Sequence, residues 1–196
     1  SWVLYNEVRH SYFAGTAQIV GNHFNGNSLK GIGIDVNGSQ SHAKITNNRI
    51  HGFSTHNNGN IQNVCIGIRI IGTAQADILN NLIYNCYDSA SSGTAIRTGM
   101  GIYVESTSGT TILGNALWKC YVHHGTGSYP GNRLVWAPYS KVVFRHNFLW
   151  RTYSHQGLTH HGGGVESVDN LSELNANANV FVSINQEDFT LHASSA

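Results

Sequence analysis

The chain has 196 residues, of which 40% are hydrophobic and 11% charged, with 22 glycines and a formal net charge of +1. An average soluble domain has about 25% charged residues, so this composition argues against a helical bundle and favours short strands joined by many turns. The chain has no Lys/Arg block, which argues against a nucleic-acid partner, and no apolar run near the ~18 residues of a membrane span.

The first residues, SWVLYNEVRH, contain no Met and show no signal-peptide pattern. We therefore expect either a mature form or a fragment of a larger chain. Cys65, Cys86 and Cys120 make an odd number of thiols without a CxxC spacing, so at least one thiol is expected to be free and no zinc site is predicted.

From Ile19 onward, the pattern apolar-x-x-Asn-x-apolar recurs at steps of 26, 33, 34, 32 and 32 residues. Its asparagines are Asn22, Asn48, Asn81, Asn115, Asn147 and, in a weaker copy, Asn179. Asn6 stands out of this register. A repeat period between about 20 and 50 residues is typical of stacked architectures.

A second pattern has the same period. Its copies are GIGID from Gly31, GIRII from Gly67 and GIYVE from Gly101, with looser copies RLVW from Arg133 and GVES from Gly164. Each repeat is predicted to contain a GIxI strand, a short turn, a strand that ends at the Asn, and then a long variable loop. Both strands alternate apolar and polar residues, as half-buried strands do.

A buried Asn needs partners for its amide, and leaving them unmade costs about 1–3 kcal/mol. If every repeat places Asn at the same turn, the amides stack at the ~4.8 Å strand spacing and bond to one another. The pattern therefore predicts a column of mutually satisfied asparagines, flanked by stacked apolar residues in the core.

The stretches ITNNRI, ILNNLIYN and ILGNALW, paired with GIGI, GIRI and GIYV, resemble the repeats of right-handed parallel β-helix proteins of the pectate-lyase-like group. The resemblance runs from about residue 19 to residue 181. It implies an all-β fold: a single-stranded right-handed parallel β-helix of about five to seven coils with long loops, forming one domain over residues 1–196. The group includes lyases, hydrolases, epimerases, tailspikes and adhesins, so the resemblance implies no particular activity.

Such solenoids carry caps because an open end exposes strand edges. The final segment FVSINQEDFTLHASSA is similar to one that closes such helices in bacterial polysaccharide-active proteins. The N-terminal segment shows no amphipathic helix. The alternatives are an irregular cap, a homo-oligomer, or a larger parent assembly that covers the open end.

Aligning the GIxI strands predicts two outward columns. The first holds Gly33, Arg69 and Tyr103, continued by Val135, and the second holds Asp35, Ile71 and Glu105. As an acidic-sugar site, Arg69 would bind a uronate carboxylate, Tyr103 and Glu105 would exchange protons, and Asp35 would contact substrate. The alternative is an exposed ladder of charges without a ligand.

Counting from each Asn predicts further columns in the loops. At the third position stand His51, Tyr84, Trp118 and Trp150, at the sixth Ser54, Tyr87, Tyr121 and Tyr153, and at the eighth His56, Ser89, His123 and His155. Rings in such columns could bind pyranose rings or could pack beneath the loops as a satellite core. Cys86 and Cys120, at the fifth position, are expected to be two stacked buried thiols rather than a disulfide.

The loops also carry His pairs beside glycines, in YVHHGTG and GLTHHGGG. We predict His123 and His124 as catalytic residues, since neutral His can act as a base. Trp118, Trp150, His155 and His160 are predicted to bind substrate.

Together these features predict an extracellular or cell-surface polysaccharide-active protein, a lyase or hydrolase acting on an acidic polysaccharide. The alternative is a non-catalytic carbohydrate-binding or structural surface module of the adhesin or tailspike type. No cofactor or metal site is predicted, and calcium is left open as an alternative. Ice binding is disfavoured because the sequence has no regular Thr columns.

Overall fold

The computed structural model of the chain describes residues 8–10, 15–38, 41–55, 63–88, 97–122, 133–137, 142–150, 157–161, 166–168, 171–172, 181–183 and 188–191. These residues form strands and turns without a helix. The all-β prediction is confirmed at this level.

Three six-stranded sheets contain most of the strands. The first sheet is formed by β1 (Val8–His10), β4 (Gly31–Gly38), β7 (Asn63–Gly72), β10 (Arg97–Ser106), β13 (Arg133–Ala137) and β16 (Gly157–His161). The second sheet is formed by β2 (Gly15–Val20), β5 (Ser41–Thr46), β8 (Gln75–Leu79), β11 (Thr110–Leu113), β14 (Val142–Arg145) and β17 (Glu166–Val168). The third sheet is formed by β3 (His23–Leu29), β6 (Arg49–Thr55), β9 (Leu82–Asp88), β12 (Ala116–Val122), β15 (Phe148–Trp150) and β18 (Leu171–Ser172).

Neighbouring strands in all three sheets are parallel. Successive strands along the chain enter the first, second and third sheets in rotation, so three consecutive strands form one repeat. This topology is compatible with a parallel β-solenoid. β19 (Phe181–Ser183) and β20 (Asp188–Leu191) form a separate antiparallel pair.

The core is built from equivalent apolar positions of successive repeats. Ile34, Ile68 and Ile102 contribute from the first sheet, Ile45, Ile78, Ile112 and Phe144 from the second, and Ile50, Ile83, Leu117 and Leu149 from the third. All are at most 3% exposed, and burial of each such side chain contributes about 1.5–3 kcal/mol. The predicted apolar columns beside the asparagines are therefore confirmed.

The asparagines form the predicted ladder between the second and third sheets. Asn48 donates from its backbone N and from Nδ2 to Oδ1 of Asn81, at 2.9 and 3.0 Å, and Asn81 donates in the same way to Asn115. The pattern extends from Asn22 to Asn147. Each internal Nδ2 also donates to a carbonyl of the preceding repeat, as Asn81 does to Ile45 at 2.9 Å. These amides are at most 2% exposed for Asn48, Asn81, Asn115 and Asn147, and neighbours satisfy their polar groups.

The residue before each ladder asparagine lies in the left-handed region. Gly21, Asn47, Asn80, Gly114 and His146 have φ between 51° and 68°. Asn and Gly adopt this conformation at the lowest cost. The doubled asparagines of ITNNRI and ILNNLI thus have separate tasks: the first turns the backbone and the second joins the ladder.

A column of glycines sets the register of the first sheet and corrects the predicted alignment. Gly33 lies opposite Gly67, and Gly67 opposite Gly101, since Ile34 pairs with Ile68 and Ile68 with Ile102. A Cβ on Gly67 would lie 2.5 Å from Cγ2 of Ile83 and 2.7 Å from the Gly101 carbonyl oxygen. At Gly31, aligned with Gly67 in the sequence, the nearest atom would be 3.7 Å away, so this glycine is not required sterically.

The predicted outward columns correctly placed Arg69 beside Tyr103 and Ile71 beside Glu105, but they were wrong for the residues of β4 and β13. Asp35, not Gly33, lies opposite Arg69, and Asn37 takes the place of Asp35 opposite Ile71. Val135 pairs with Ile102 and is 3% exposed, whereas Trp136 pairs with Tyr103. The alignment of RLVW was off by one residue, which exchanges the two faces of a strand.

Two other expectations differ from the structure. The residues that follow each Asn, which were expected to form loops, form the third sheet, so the positions counted from the Asn are strand positions.

The last repeat is short: Val143 pairs with Glu166 and Phe148 with Leu171, an offset of 23 residues rather than 32. Glu166 and Ser167 of GVES consequently lie in the second sheet, and GLTHH lies in the first. Asn6 and Asn179 lie outside the described residues.

Replacing Asn81 by Ala should destabilise the fold by about 3 kcal/mol, because both N–H groups of Asn48 lose their acceptor and Asn115 loses the Nδ2 donor in a buried site. The neighbouring Asn80→Gly variant is the matched control, since it keeps the left-handed turn and should change stability by less than about 0.5 kcal/mol. Urea unfolding followed by circular dichroism measures both. Equal effects of the two substitutions would contradict the ladder.

Replacing Gly67 by Ala should destabilise the fold by about 1–3 kcal/mol through the contact with Ile83. Gly31→Ala, in the same sheet, should change stability little because its Cβ would meet nothing closer than 3.7 Å. Thermal unfolding of the two variants compares them directly. If Gly67→Ala unfolded at the same temperature as the wild type, the steric role of the glycine column would be refuted.

Candidate functional site

The outer face of the first sheet carries a continuous row of polar and aromatic residues. Strand register places Asp35 opposite Arg69, Arg69 opposite Tyr103, and Tyr103 opposite Trp136. We call Asp35, Arg69, Tyr103 and Trp136 the sheet-1 row. Parallel pairing sets the backbones of successive members about 4.8 Å apart.

The backbone register extends this row at both ends. Arg9 of β1 lies opposite Asp35, and His160 of β16 lies opposite Trp136. His160 was predicted to bind substrate, and its backbone position belongs to the same row as the predicted Arg69 and Tyr103. The side chains of Arg9 and His160 lie outside the described part of the structure.

Asp35 and Arg69 form a two-point ion pair. The guanidinium donates from Nε to Oδ1 of Asp35 at 2.9 Å and from Nη2 to Oδ2. The Asp35 side chain is 6% exposed and that of Arg69 28%. The less exposed carboxylate, on the neighbouring strand, thus holds the guanidinium, and the more exposed part of the pair is cationic. Paired N–H···O bonds of this kind fix the plane of a guanidinium.

Tyr103 links the row to Glu105. Its hydroxyl donates to Oε2 of Glu105, two residues further along the same strand. Glu105 is exposed, and both Tyr103 and Trp136 are half-buried. The face therefore combines a fixed guanidinium, a carboxylate bonded to a phenol, and two adjacent aromatic side chains. Such groups can hydrogen-bond hydroxyl groups and cover the apolar face of a sugar ring.

The outer face of the third sheet carries the predicted ring column. His51 stacks on Tyr84 with centroids 4.6 Å apart, and Tyr84 lies 6.4 Å from Trp118. Tyr84 is fully buried, with His51 on one side and Trp118 on the other. Trp118 is half-buried, and its role in substrate binding stays a prediction. Trp150 lies opposite Trp118 by backbone register, and its side chain is outside the described residues.

A second pair of rings lies further along the same strands. Tyr87 stacks on Tyr121 with centroids 5.1 Å apart and an angle of 8°. Lys119 places its Nζ 5.5 Å from the Tyr87 ring and 5.7 Å from the Trp118 ring. Because Tyr121 is 5% exposed, this pair resembles a satellite core more than a sugar platform.

The catalytic histidines predicted from the loops, His123 and His124, and the substrate-binding His155 lie outside the described residues. Trp136, Arg9 and Lys119 were missed by the sequence analysis. Trp136 could have been found only with RLVW aligned one residue later. Arg9 precedes the first recognisable GIxI copy, and Lys119 lies in a segment that was assigned to a loop.

Among the described residues, no group of three or more His, Cys, Asp and Glu side chains could hold a metal ion. A search of the same part of the chain found no helix that is long and apolar enough to cross a membrane.

The three cysteines are free thiols in the core, and Cys86 lies opposite Cys120 in neighbouring strands. Two stacked buried thiols are therefore confirmed. Burial, followed by the nearby Asp88 carboxylate, raises the pKa of Cys65 to about 12 from 9.0. Burial and the neighbouring Cys120 raise the pKa of Cys86. Thiolates, the reactive form, are thus suppressed.

Comparison of the chain with protein-family models, with curated proteins and with solved structures found no match.

The cysteines should resist iodoacetamide in the folded protein at neutral pH and should all react in urea, and mass spectrometry can count the alkylated thiols.

The raised pKa of Cys65 also predicts a pH effect on stability. Its folded state keeps a proton that the unfolded chain releases, so its contribution is complete below about pH 9 and is lost as the pH rises toward about 12. Rapid alkylation of the native protein would contradict the burial of the thiols. The pH effect would be contradicted if the stability of the wild type, measured relative to that of Cys65→Ala, did not fall above pH 9.

Proposed function

We propose that the chain is a right-handed parallel β-helix of six coils that binds a polysaccharide along the outer face of its first sheet. The topology of three parallel sheets visited in rotation supports the β-helix. The single observation that carries the binding proposal is the sheet-1 row, in which charged, phenolic and indole groups lie side by side on successive strands. A polymer lying across the strands meets one member of the row in each repeat.

The two halves of the row suggest how a sugar chain would bind. Arg69, held by Asp35, offers a fixed positive group to a carboxylate or hydroxyl of the polymer. Tyr103 and Trp136 offer adjacent ring surfaces to the apolar face of the next sugar. The proposal therefore favours an acidic polysaccharide and an extracellular or cell-surface location, where such polymers occur.

A catalytic role, as a lyase or a hydrolase, is favoured by one contact. The Tyr103 hydroxyl donates to Glu105 at an exposed position beside Arg69. In a lyase, a base removes the proton adjacent to the uronate carboxylate while the bond to the leaving sugar oxygen breaks and that oxygen is protonated. Glu105 and Tyr103 would divide these proton transfers, and Arg69 would stabilise the charge on the carboxylate.

Binding is tested with a panel of immobilised acidic and neutral polysaccharides. Trp136→Ala should weaken retention on the bound polymer by about fivefold, the equivalent of about 1 kcal/mol of lost ring contact. The charge of Arg69 is tested in the double variant Asp35→Asn/Arg69→Gln, since Arg69→Ala alone would leave a buried carboxylate unpaired and destabilise the fold. Lys44→Ala, exposed on the second sheet, is the control and should bind as the wild type does.

Turnover is tested on the same panel by absorbance of unsaturated products, for a lyase, and by new reducing ends, for a hydrolase. Glu105→Gln and Tyr103→Phe should abolish whichever activity is found while retaining binding. Retention on a polysaccharide without any product would indicate that the chain is a non-catalytic binding module. Absence of both retention and product, or retention unaffected by Trp136→Ala and the double variant, would reject the site.

A further inference from the structure

Glu105 has one carboxylate oxygen that is open to a ligand. Its Oε2 accepts the hydrogen bond from the Tyr103 hydroxyl, and its side chain is exposed on the outer face of the first sheet. Among the contacts between described residues, Oε1 has no hydrogen-bond partner and Glu105 takes part in no ion pair. An ionised carboxylate oxygen can only accept hydrogen bonds. Oε1 therefore suits a ligand group that donates an N–H or an O–H.

Glu105 carries the surplus charge of the described part of this sheet. The charged side chains that the structure describes in the first sheet are Asp35, Arg69 and Glu105. Arg69 donates to both carboxylate oxygens of Asp35, so these two opposite charges lie together. Arg69 is the more exposed member of the pair and still attracts an anion at short range. Beyond the pair, the described side chains leave one negative charge, at Glu105.

Strand register places Glu105 beside the position that follows Arg69 along the sheet-1 row. Tyr103 lies opposite Arg69, and Glu105 is two residues further along the strand of Tyr103. Strands about 4.8 Å apart, with a rise of about 3.3 Å per residue, set the Cα atoms of Arg69 and Glu105 about 8 Å apart. A polymer that crosses the strands meets one member of the row in each repeat. The sugar after the one at Arg69 therefore lies over Tyr103, within reach of Oε1.

The two positions require opposite chemistry from the polymer. At Arg69, a carboxylate of the polymer meets a guanidinium that Asp35 holds in place. At Tyr103, a second carboxylate would meet the acceptor oxygen and the negative charge of Glu105. Two like charges about 6 Å apart at a protein surface lower the affinity about tenfold. A hydroxyl or an amide N–H at the same place would instead donate to Oε1.

We propose that Glu105 is a specificity-determining residue, which selects polysaccharides in which an acidic sugar is followed by a neutral one. The polymer class is a chain with separated carboxylates, such as uronic acids alternating with neutral or N-acylated sugars. A polymer with a carboxylate on every sugar is disfavoured, because its next carboxylate faces Oε1. This inference rests on the proposed binding along the sheet-1 row and names the class of polymer that binds there.

The test uses matched polymers that differ only in charge density. Polygalacturonate and polymannuronate are each compared with a sample of the same polymer in which about half of the carboxylates have been reduced to primary alcohols. Reduction keeps the linkage and the chain length. Affinity electrophoresis of the folded protein, in gels that contain each polymer, measures binding at neutral pH, in low salt and in the cold to limit turnover.

The wild type should bind the half-reduced sample about tenfold more tightly than the parent polymer, and added salt should shrink this preference by screening. Glu105→Gln keeps the shape of the side chain and removes its charge. It should strengthen binding of the parent polymer, so that the preference falls to within about twofold. The matched control is Asp77→Asn, which removes one negative charge from the second sheet and should keep the preference of the wild type.

The outcomes separate this inference from the proposed function. Equal binding of both samples by the wild type, weakened in both by Trp136→Ala, would overturn the role of Glu105 and leave the proposed binding site standing. An undiminished preference in Glu105→Gln, or an equal loss of preference in Asp77→Asn, would also overturn it. If the wild type bound none of the four samples, the proposed binding of acidic polysaccharides would fall, and this inference with it.

Discussion

The hydrogen-bonded asparagine ladder is the constraint on which the rest of the structure depends. The Oδ1 of every internal ladder asparagine accepts the backbone N–H and an Nδ2–H of the asparagine one repeat earlier. Its own backbone N–H and Nδ2–H donate to the Oδ1 of the asparagine one repeat later, and Nδ2 also donates to a backbone carbonyl. A single buried Asn would cost free energy, but a column of them satisfies its own polar groups. These hydrogen bonds form only when successive repeats are in register, so the ladder fixes the position of the strands of each repeat relative to those of the repeat before it.

Register turns a linear sequence into columns with distinct chemistry. Inside, isoleucines of the three sheets meet their equivalents and form one core. Outside, the first sheet brings acidic, basic and aromatic groups together in the sheet-1 row, while the third sheet brings together rings and cations. The two faces thus differ in charge and chemistry although the same repeats build both.

Burial decides how the surface groups can act. Asp35 lies on the strand next to Arg69 and is the less exposed of the two, so its carboxylate positions the cation, while its contact with substrate stays a prediction. Stacking has a similar effect on the third sheet, where Tyr84 lies between His51 and Trp118 and contributes to cohesion between repeats.

The period of the asparagines, the apolar positions beside them and the stacked thiols could all be read from the sequence, because each is a local pattern repeated at nearly constant spacing. The ladder from Asn22 to Asn147 and the ring column through His51, Tyr84 and Trp118 followed directly. The outer face of the first sheet did not, because GIGID contains two glycines and only packing against Ile50 shows that Gly33 is the one without room for a Cβ. A two-residue shift moved Asp35 from a neighbouring column to the side of Arg69, and a one-residue shift exchanged Val135 for Trp136. Sequence determined which residues repeat, whereas steric contact between repeats decided which of them face one another.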